Sequence, residues 1–207
     1  MERSKRKEME FQLRRNEILH QAERIFAAKG FYNTTMAEIA DASGFAIGTL
    51  YHFFESKEKL YTAMINEKLD VMYSEIRGAV NGVERTIDKI EMLVRAHFYF
   101  VENNVDFCNL FIRGEGMIIS KGNALLKEKM IADFFCHIDF IEDIMHKGID
   151  ANLLKVMDTR MMASAFWGII RSFIYNWMYV REETPLSDKV DSALDIFLRG
   201  VKVEVMK

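Results

Sequence analysis

The sequence predicts an all-α protein in which a small N-terminal helix-turn-helix unit is followed by a larger helical body. A single proline in 207 residues leaves long stretches free of helix breakers. Apolar residues recur at helical spacing through most of the chain, and no run alternates convincingly enough to read as a strand. Apolar residues make up 50% and charged residues 29%, so the chain is neither disordered nor collagen-like and is long enough for a substantial core.

Ile18, Leu19, Ala22, Ile25 and Phe26 place a first helix over 16–29, stopped by Gly30. Thr34 and Thr35 offer an N-cap to a short second helix, and Glu38 stands three residues after Thr35, the spacing of a capping box. That helix closes at Ser43-Gly44, and a third spans 47–54 with Gly48 inside it. Ser56 caps a fourth helix, whose periodic run Leu60, Met64, Leu69 and Met72 continues past residue 75. Helices over 87–102, 106–113 and 123–146 follow, punctuated by Gly114, Gly116 and Gly122. Residues 148–157 read as a loop, Asp158 caps a strongly apolar helix, and Pro185 with Ser187 opens a last one ending near Gly200.

Charge divides the chain mildly. Residues 1–62, the expected helix-turn-helix domain, carry 10 basic and 9 acidic side chains, whereas residues 63–207 carry 18 and 22. Arg3, Lys5, Arg6, Lys7, Arg14 and Arg15 outnumber Glu2, Glu8 and Glu10, forming an arm that either lies along phosphates or is simply solvated. This arm lacks the apolar run of a signal peptide. Cys108 and Cys136 fit free thiols in a reducing cytoplasm rather than a disulfide framework. The segment 161–180 is long enough to span a bilayer, but Arg171 at its middle would cost roughly 3 kcal/mol there. It therefore reads as a helix buried on several sides, against its own domain and a second copy, with no membrane partner. Phe166, Trp167, Ile170, Phe173, Ile174 and Trp177 supply the surplus apolar surface, and a four-helix interface with the last helix is expected.

The sharpest constellation is Ala40, Gly44, Phe45, Leu50 and Phe54. Two short helices that cross steeply need a small residue at their closest approach, here Ala40, and a residue tolerant of positive φ in the turn, here Gly44. With Phe45, Leu50 and Phe54 directed inward, Ala46, Thr49, Tyr51 and His52 are left facing outward on a helix suited to a major groove.

The segments Thr34 to Ala40, Ala42 to Phe45, Gly48 to Phe54 and Ser56 to Leu60, with Phe26, Lys29, Gly30 and Phe31 ahead of them, resemble the TetR-type transcriptional regulators over residues 14–62. Beyond residue 62 the likeness is one of helix count and length. The resemblance implies that Thr35 caps a helix at a phosphate, that Ala46, Gly48 and Thr49 approach bases or backbone, and that Tyr51 and His52 reach phosphates or base edges. It also places Lys57, at the start of the fourth helix, on the DNA backbone. Ile47 and Phe53 depart from the polar or basic residue and the histidine usual in the family, which bears on base preference. A homodimer on a double-stranded, pseudo-palindromic operator, released by a small apolar or amphipathic inducer, is the function implied.

Phe98, Phe107, Phe111, Met117, Phe134, Ile138, Phe166 and Trp167 are the residues expected to line the inducer site, since Met and aromatic side chains make adaptable apolar cavities. Arg95, His97, Arg113 and Arg171 are candidate polar anchors. Asp139, Glu142, Asp143 and His146 share a helical face and read as a solvated acidic surface rather than a metal centre, because a di-metal bundle needs a second such motif. No GxSxG, HExxH, P-loop or strand-linked GxGxxG is present, so neither an enzyme nor a cofactor is expected. The competing class is a helical metal- or lipid-binding protein whose N-terminal unit makes protein contacts.

Overall fold

The computed structural model describes residues 2–112, 124–180 and 184–203. Its helices are α1 (Glu2–Lys29), α2 (Met36–Ala42), α3 (Ile47–Phe53), α4 (Lys57–Val80), α5 (Thr86–Asn103), α6 (Val105–Ile112), α7 (Ala124–Asp150), α8 (Thr159–Val180) and α9 (Val190–Val201), with a 3-10 turn at Leu186–Lys189. Among the described residues the only β pairing is an isolated bridge between Leu154 and Lys202. The all-α expectation holds.

The chain forms two compact units, one of residues 1–70 and 105–128, the other of 71–104 and 129–207. In the first, α1 packs on α2 and α6, and α2 on α3. Ile18, Ala22, Phe26, Ile39, Leu50, Leu60, Tyr61 and Ile65 are its fully buried centre. Gly30, with φ 78°, ends α1 by donating to the Phe26 carbonyl, as the sequence implied. In the second unit α9 packs on α5 and α8, around a core that includes Ile90, Leu93, Phe98, Ile141, Phe166, Ile170 and Phe197.

Three expectations are corrected. The first helix does not start at residue 16: α1 begins at Glu2 and takes in the basic arm, and i,i+4 pairs such as Gln12 on Glu8 at 2.9 Å support its first turns. Gly148 does not end α7, which continues to Asp150. A Cβ at Gly148 would lie 2.5 Å from Leu154 Cδ1 and 3.1 Å from Thr86 Cγ2, so the glycine permits close packing inside the helix. Finally, of the six residues expected to supply surplus apolar surface, Phe166, Ile170 and Ile174 are buried within the monomer while Trp167, Phe173 and Trp177 are half-buried; the exposed large apolar side chains of α8 are Met161, Tyr175, Tyr179 and Val180. Asp158 does cap α8, accepting from the Met161 N–H at 2.8 Å. Among the described residues no helix is long and apolar enough to cross a membrane.

The second unit buries two histidines against each other, the Nε2 atoms of His97 and His137 lying 3.0 Å apart. His97 Nδ1 lies 2.6 Å from the Leu93 carbonyl oxygen. A carbonyl only accepts, so Nδ1 carries the proton of the neutral ring and Nε2 accepts from His137. His137 Nδ1 is then a buried acceptor without a partner among the described residues. Burial pushes His97 down to about 4 and His137 to about 3, the latter helped by the charges of His97 and Arg77. Both rings are neutral at pH 7.

An unfolded histidine titrates near 6.5, so the unfolded chain binds protons first and stability falls as pH drops from about 6.5 towards 4. Above pH 7 these two groups contribute no pH dependence. Urea unfolding at pH 7 and pH 5 should show a marked loss in the native protein and a smaller one in H97F/H137F. Equal losses in both would show that the pair is not the acid-sensitive element.

Candidate nucleic-acid interface

The interface is built on the turn between α1 and α2. Thr35, in an extended conformation, accepts from the Glu38 backbone N–H at 3.2 Å, while the Glu38 carboxylate accepts from the Thr35 N–H at 2.9 Å. Both halves of the expected capping box are therefore present. Glu38 also accepts from Lys29 Nζ at 2.6 Å, and Lys29 with the Thr35 donors draws its carboxyl down to about 2. Thr34 is not the cap; its buried hydroxyl donates to the Gly30 carbonyl at 2.8 Å.

The turn into α3 follows from Ser43 and Gly44. Ser43 Oγ donates to the Ile39 carbonyl at 2.6 Å, and Gly44 adopts φ 71°, where a side chain would be strained. The Phe45 N–H then donates to the Ala40 carbonyl at 3.0 Å. Leu50 and Phe54 anchor α3 inward and Ala40 is buried beneath the crossing, whereas Phe45 is only half-buried. Ala46, Ile47, Gly48, Tyr51 and His52 are exposed and Thr49 is half-exposed, so the residues expected to meet DNA share one accessible surface. Ala46 gives α3 no side-chain cap.

Lys57 has partners within the chain. Its ammonium donates to the carbonyls of Phe31 and Thr34, each at 2.7 Å, and lies 4.4 Å from the centroid of the Phe31 ring. These contacts tie the start of α4 to the turn that presents Thr35. Sequence reading missed this, because the acceptors lie 26 and 23 residues away. It also missed Arg15, which pairs with Glu67 and lies 5.4 Å from the Phe54 ring centroid, and the stack of Phe11 on Phe53.

The expected inducer residues are divided between the two units. Phe107 and Phe111 stack on each other in the first unit, at 5.7 Å between centroids. Phe98, Phe134, Ile138, Phe166 and Trp167 belong to the second. There Trp167 lies 5.2 Å from His97 and 5.6 Å from His137, whereas Phe166 faces Phe197 at 4.8 Å. Met117 and Arg113 lie outside the described residues. Among the other anchors, Arg95 pairs with Glu91 at 2.7 Å and Arg171 lies over Tyr175. The acidic face is neutralised from within its unit: Arg160 bonds Asp139 and Glu142, and Lys147 bonds Asp143.

Replacing Lys57 by Met keeps the stem but removes two charge-assisted hydrogen bonds, and should cost about 2 kcal/mol of stability in urea unfolding. Unchanged stability, together with a flatter salt dependence of DNA binding, would return the ammonium to a phosphate.

Residues 18–64 match the family model described as bacterial regulatory proteins, tetR family, and residues 65–200 match that of the YsiA-like protein C-terminal region. The fatty acid metabolism regulator protein of Bacillus subtilis (strain 168) is 20% identical over 186 residues, covering 89% of this chain and 94% of its own. The fold is shared with the fatty acid degradation regulator FadR of Bacillus halodurans, at TM-score 0.77 and 21% identity over 90% of this chain and 95% of that one. It is also shared with FadR of Bacillus subtilis in complex with stearoyl-CoA, at TM-score 0.74 and 18% identity over 89% and 97%. Together the two family matches run from residue 18 to residue 200, through the capped α2, the exposed α3 and the helices that follow, and the chain belongs to the TetR family of bacterial regulatory proteins.

Proposed function

We propose that the protein is a cytoplasmic, homodimeric repressor that binds a pseudo-palindromic operator and leaves it when a long-chain acyl thioester binds the helical body. In this reading residues 1–62 read DNA, and residues 63–207 bind the ligand and dimerise; no catalytic step is assigned. The observation that carries it is the exposed set Gly48, Thr49, Tyr51 and His52 on a helix anchored by buried Leu50, next to the capping box of Thr35 and Glu38. Such a surface suits base edges and phosphates. The acyl thioester is suggested by the relatives, one named for fatty acid metabolism and one solved with stearoyl-CoA.

Coupling is assigned to α4, which supplies residues 57–70 to one compact unit and 71–80 to the other without a break. Twenty-four helical residues span roughly 36 Å. Two recognition helices must meet successive major grooves about 34 Å apart, so a small pivot of α4 in each copy spoils their spacing. A ligand that prefers the mis-spaced state 100-fold weakens DNA binding by at most about 2.7 kcal/mol, and operator DNA must weaken ligand binding by the same factor.

Stearoyl-CoA, titrated calorimetrically with and without an operator duplex, should bind more weakly in the DNA complex. Equal affinity in both would end the ligand-gated reading and leave DNA binding intact. T49A should change which duplexes are enriched from a random pool while leaving the fold intact; an unchanged preference would remove Thr49 from the reading surface.

The dimer is assigned to the exposed apolar side chains Met161, Tyr175 and Tyr179 of α8 and Ile196 of α9. Y179D/I196D should sediment as a folded monomer, because unpaired charges in a dry interface cost several kcal/mol. A native protein that sediments as a monomer at micromolar concentration would exclude this interface.

A further inference from the structure

We infer that the N-terminal part of α1, residues 2–14, is a second DNA-contacting element, docked on α3 by Phe11 and Phe53 so that Lys7 and Arg14 meet phosphates flanking the bases read by α3. The inference rests on the DNA-binding reading and adds contacts outside the helix-turn-helix.

This stretch of helix has no structural reason in the core. Residues 5–14 are all exposed, and the first buried side chain of α1 is Ile18. Beyond its own i,i+4 pairs, the tertiary contact shown for it is Phe11 on Phe53, with centroids 4.5 Å apart and planes inclined by 35°. Phe53 is half-buried although its neighbours Tyr51 and His52 are exposed. The pairing therefore fixes α1 at the reading surface itself.

The result is a groove with Lys7, Glu10, Phe11 and Arg14 on one wall and Gly48, Thr49, His52 and Phe53 on the other. Lys7, Phe11 and Arg14 follow one another at four and three residues, so they share a face of α1. The Glu10 carboxylate is held by Arg6 at 3.2 Å. Lys7 and Arg14 have no carboxylate partner among the described residues, which leaves the groove positive where α3 carries its candidate DNA contacts. Flexible cations on a rigid helix beside a recognition helix suit the phosphate backbone, which takes charge without regard to base sequence.

The test uses the full-length protein and a 40-base-pair duplex enriched by that protein from a randomised pool, with fluorescence anisotropy over a salt series. Each phosphate contact contributes about 0.9 to the slope of log affinity against log salt. K7A/R14A should therefore lower the slope by about 1.8 for each chain bound. F11A, which removes no charge, should reproduce most of that loss, and F11Y should restore the native slope. Lys7 and Arg14 are exposed, so the melt of K7A/R14A should superimpose on that of the native protein, and F11A, which loses one ring contact, should shift it only slightly. An unchanged slope in K7A/R14A, or a native slope in F11A, would overturn the inference while the DNA-binding reading stood. Tighter binding after deletion of residues 2–12 would show that the helix obstructs DNA, and would also overturn it. A native protein that enriches no duplex would sink the DNA-binding reading, and this inference with it.

Discussion

The DNA-reading unit depends on one half-buried contact, the ammonium of Lys57 against the turn between α1 and α2. The end of a helix leaves carbonyls that the helix itself cannot satisfy. Lys57 donates to the carbonyls of Phe31 and Thr34 in the turn and rests on the Phe31 ring, whose other ring neighbours are Phe26, Tyr32 and Tyr61. The start of α4, the end of α1 and the cap of α2 are thereby fixed as one piece. Thr35 needs that fixity: its capping box defines the first turn of α2 only if the preceding backbone is held extended. The crossing of α2 and α3 then follows from Ala40 and Gly44.

A different constraint governs the second unit. Its centre holds polar rings rather than a wholly apolar core, and one hydrogen bond between two neutral imidazoles satisfies most of their demand. The chain of donors runs one way, from His137 to His97 to the Leu93 carbonyl, and ends on a single unused lone pair at His137 Nδ1. Trp167 and Tyr73 pack around the pair, so water has little access to a protonated state. In the first unit the buried Cys108 thiol is inert, its pKa pushed up to about 12 by burial.

Features fixed by local spacing were legible in the sequence. The capping box at Thr35 and Glu38, the stop at Gly30, the turn at Gly44 and the cap at Asp158 all involve residues within four positions of one another, and each stands where it was read. Features that depend on chain return were not. Lys57 reaches carbonyls 23 and 26 residues back, and His97 meets His137 forty residues on. Gly148 looks like a helix stop until Leu154 folds against it. In α8 apolar residues surround the helix, so periodicity could not distinguish Ile170, which is buried, from Tyr179, which is not. The helicity of the N-terminal arm did leave a signal, Arg6 to Glu10 and Glu8 to Gln12 at i,i+4, which composition alone conceals.

The stack of Phe11 on Phe53 connects these two kinds of information. A phenylalanine on the reading helix is a liability in isolation, because an apolar ring next to phosphates gains nothing from them and loses contact with water. It is tolerable only when another surface covers it. The covering residue lies 42 positions earlier, in the first turns of α1, which side-chain pairs at i,i+4 support ahead of the part of the helix that enters the core. Local charge spacing thus makes the arm helical, helicity brings Phe11 into phase with Lys7 and Arg14, and the ring contact turns that face towards α3. Each step is weak alone, and the placement of the two cations follows only from their sequence.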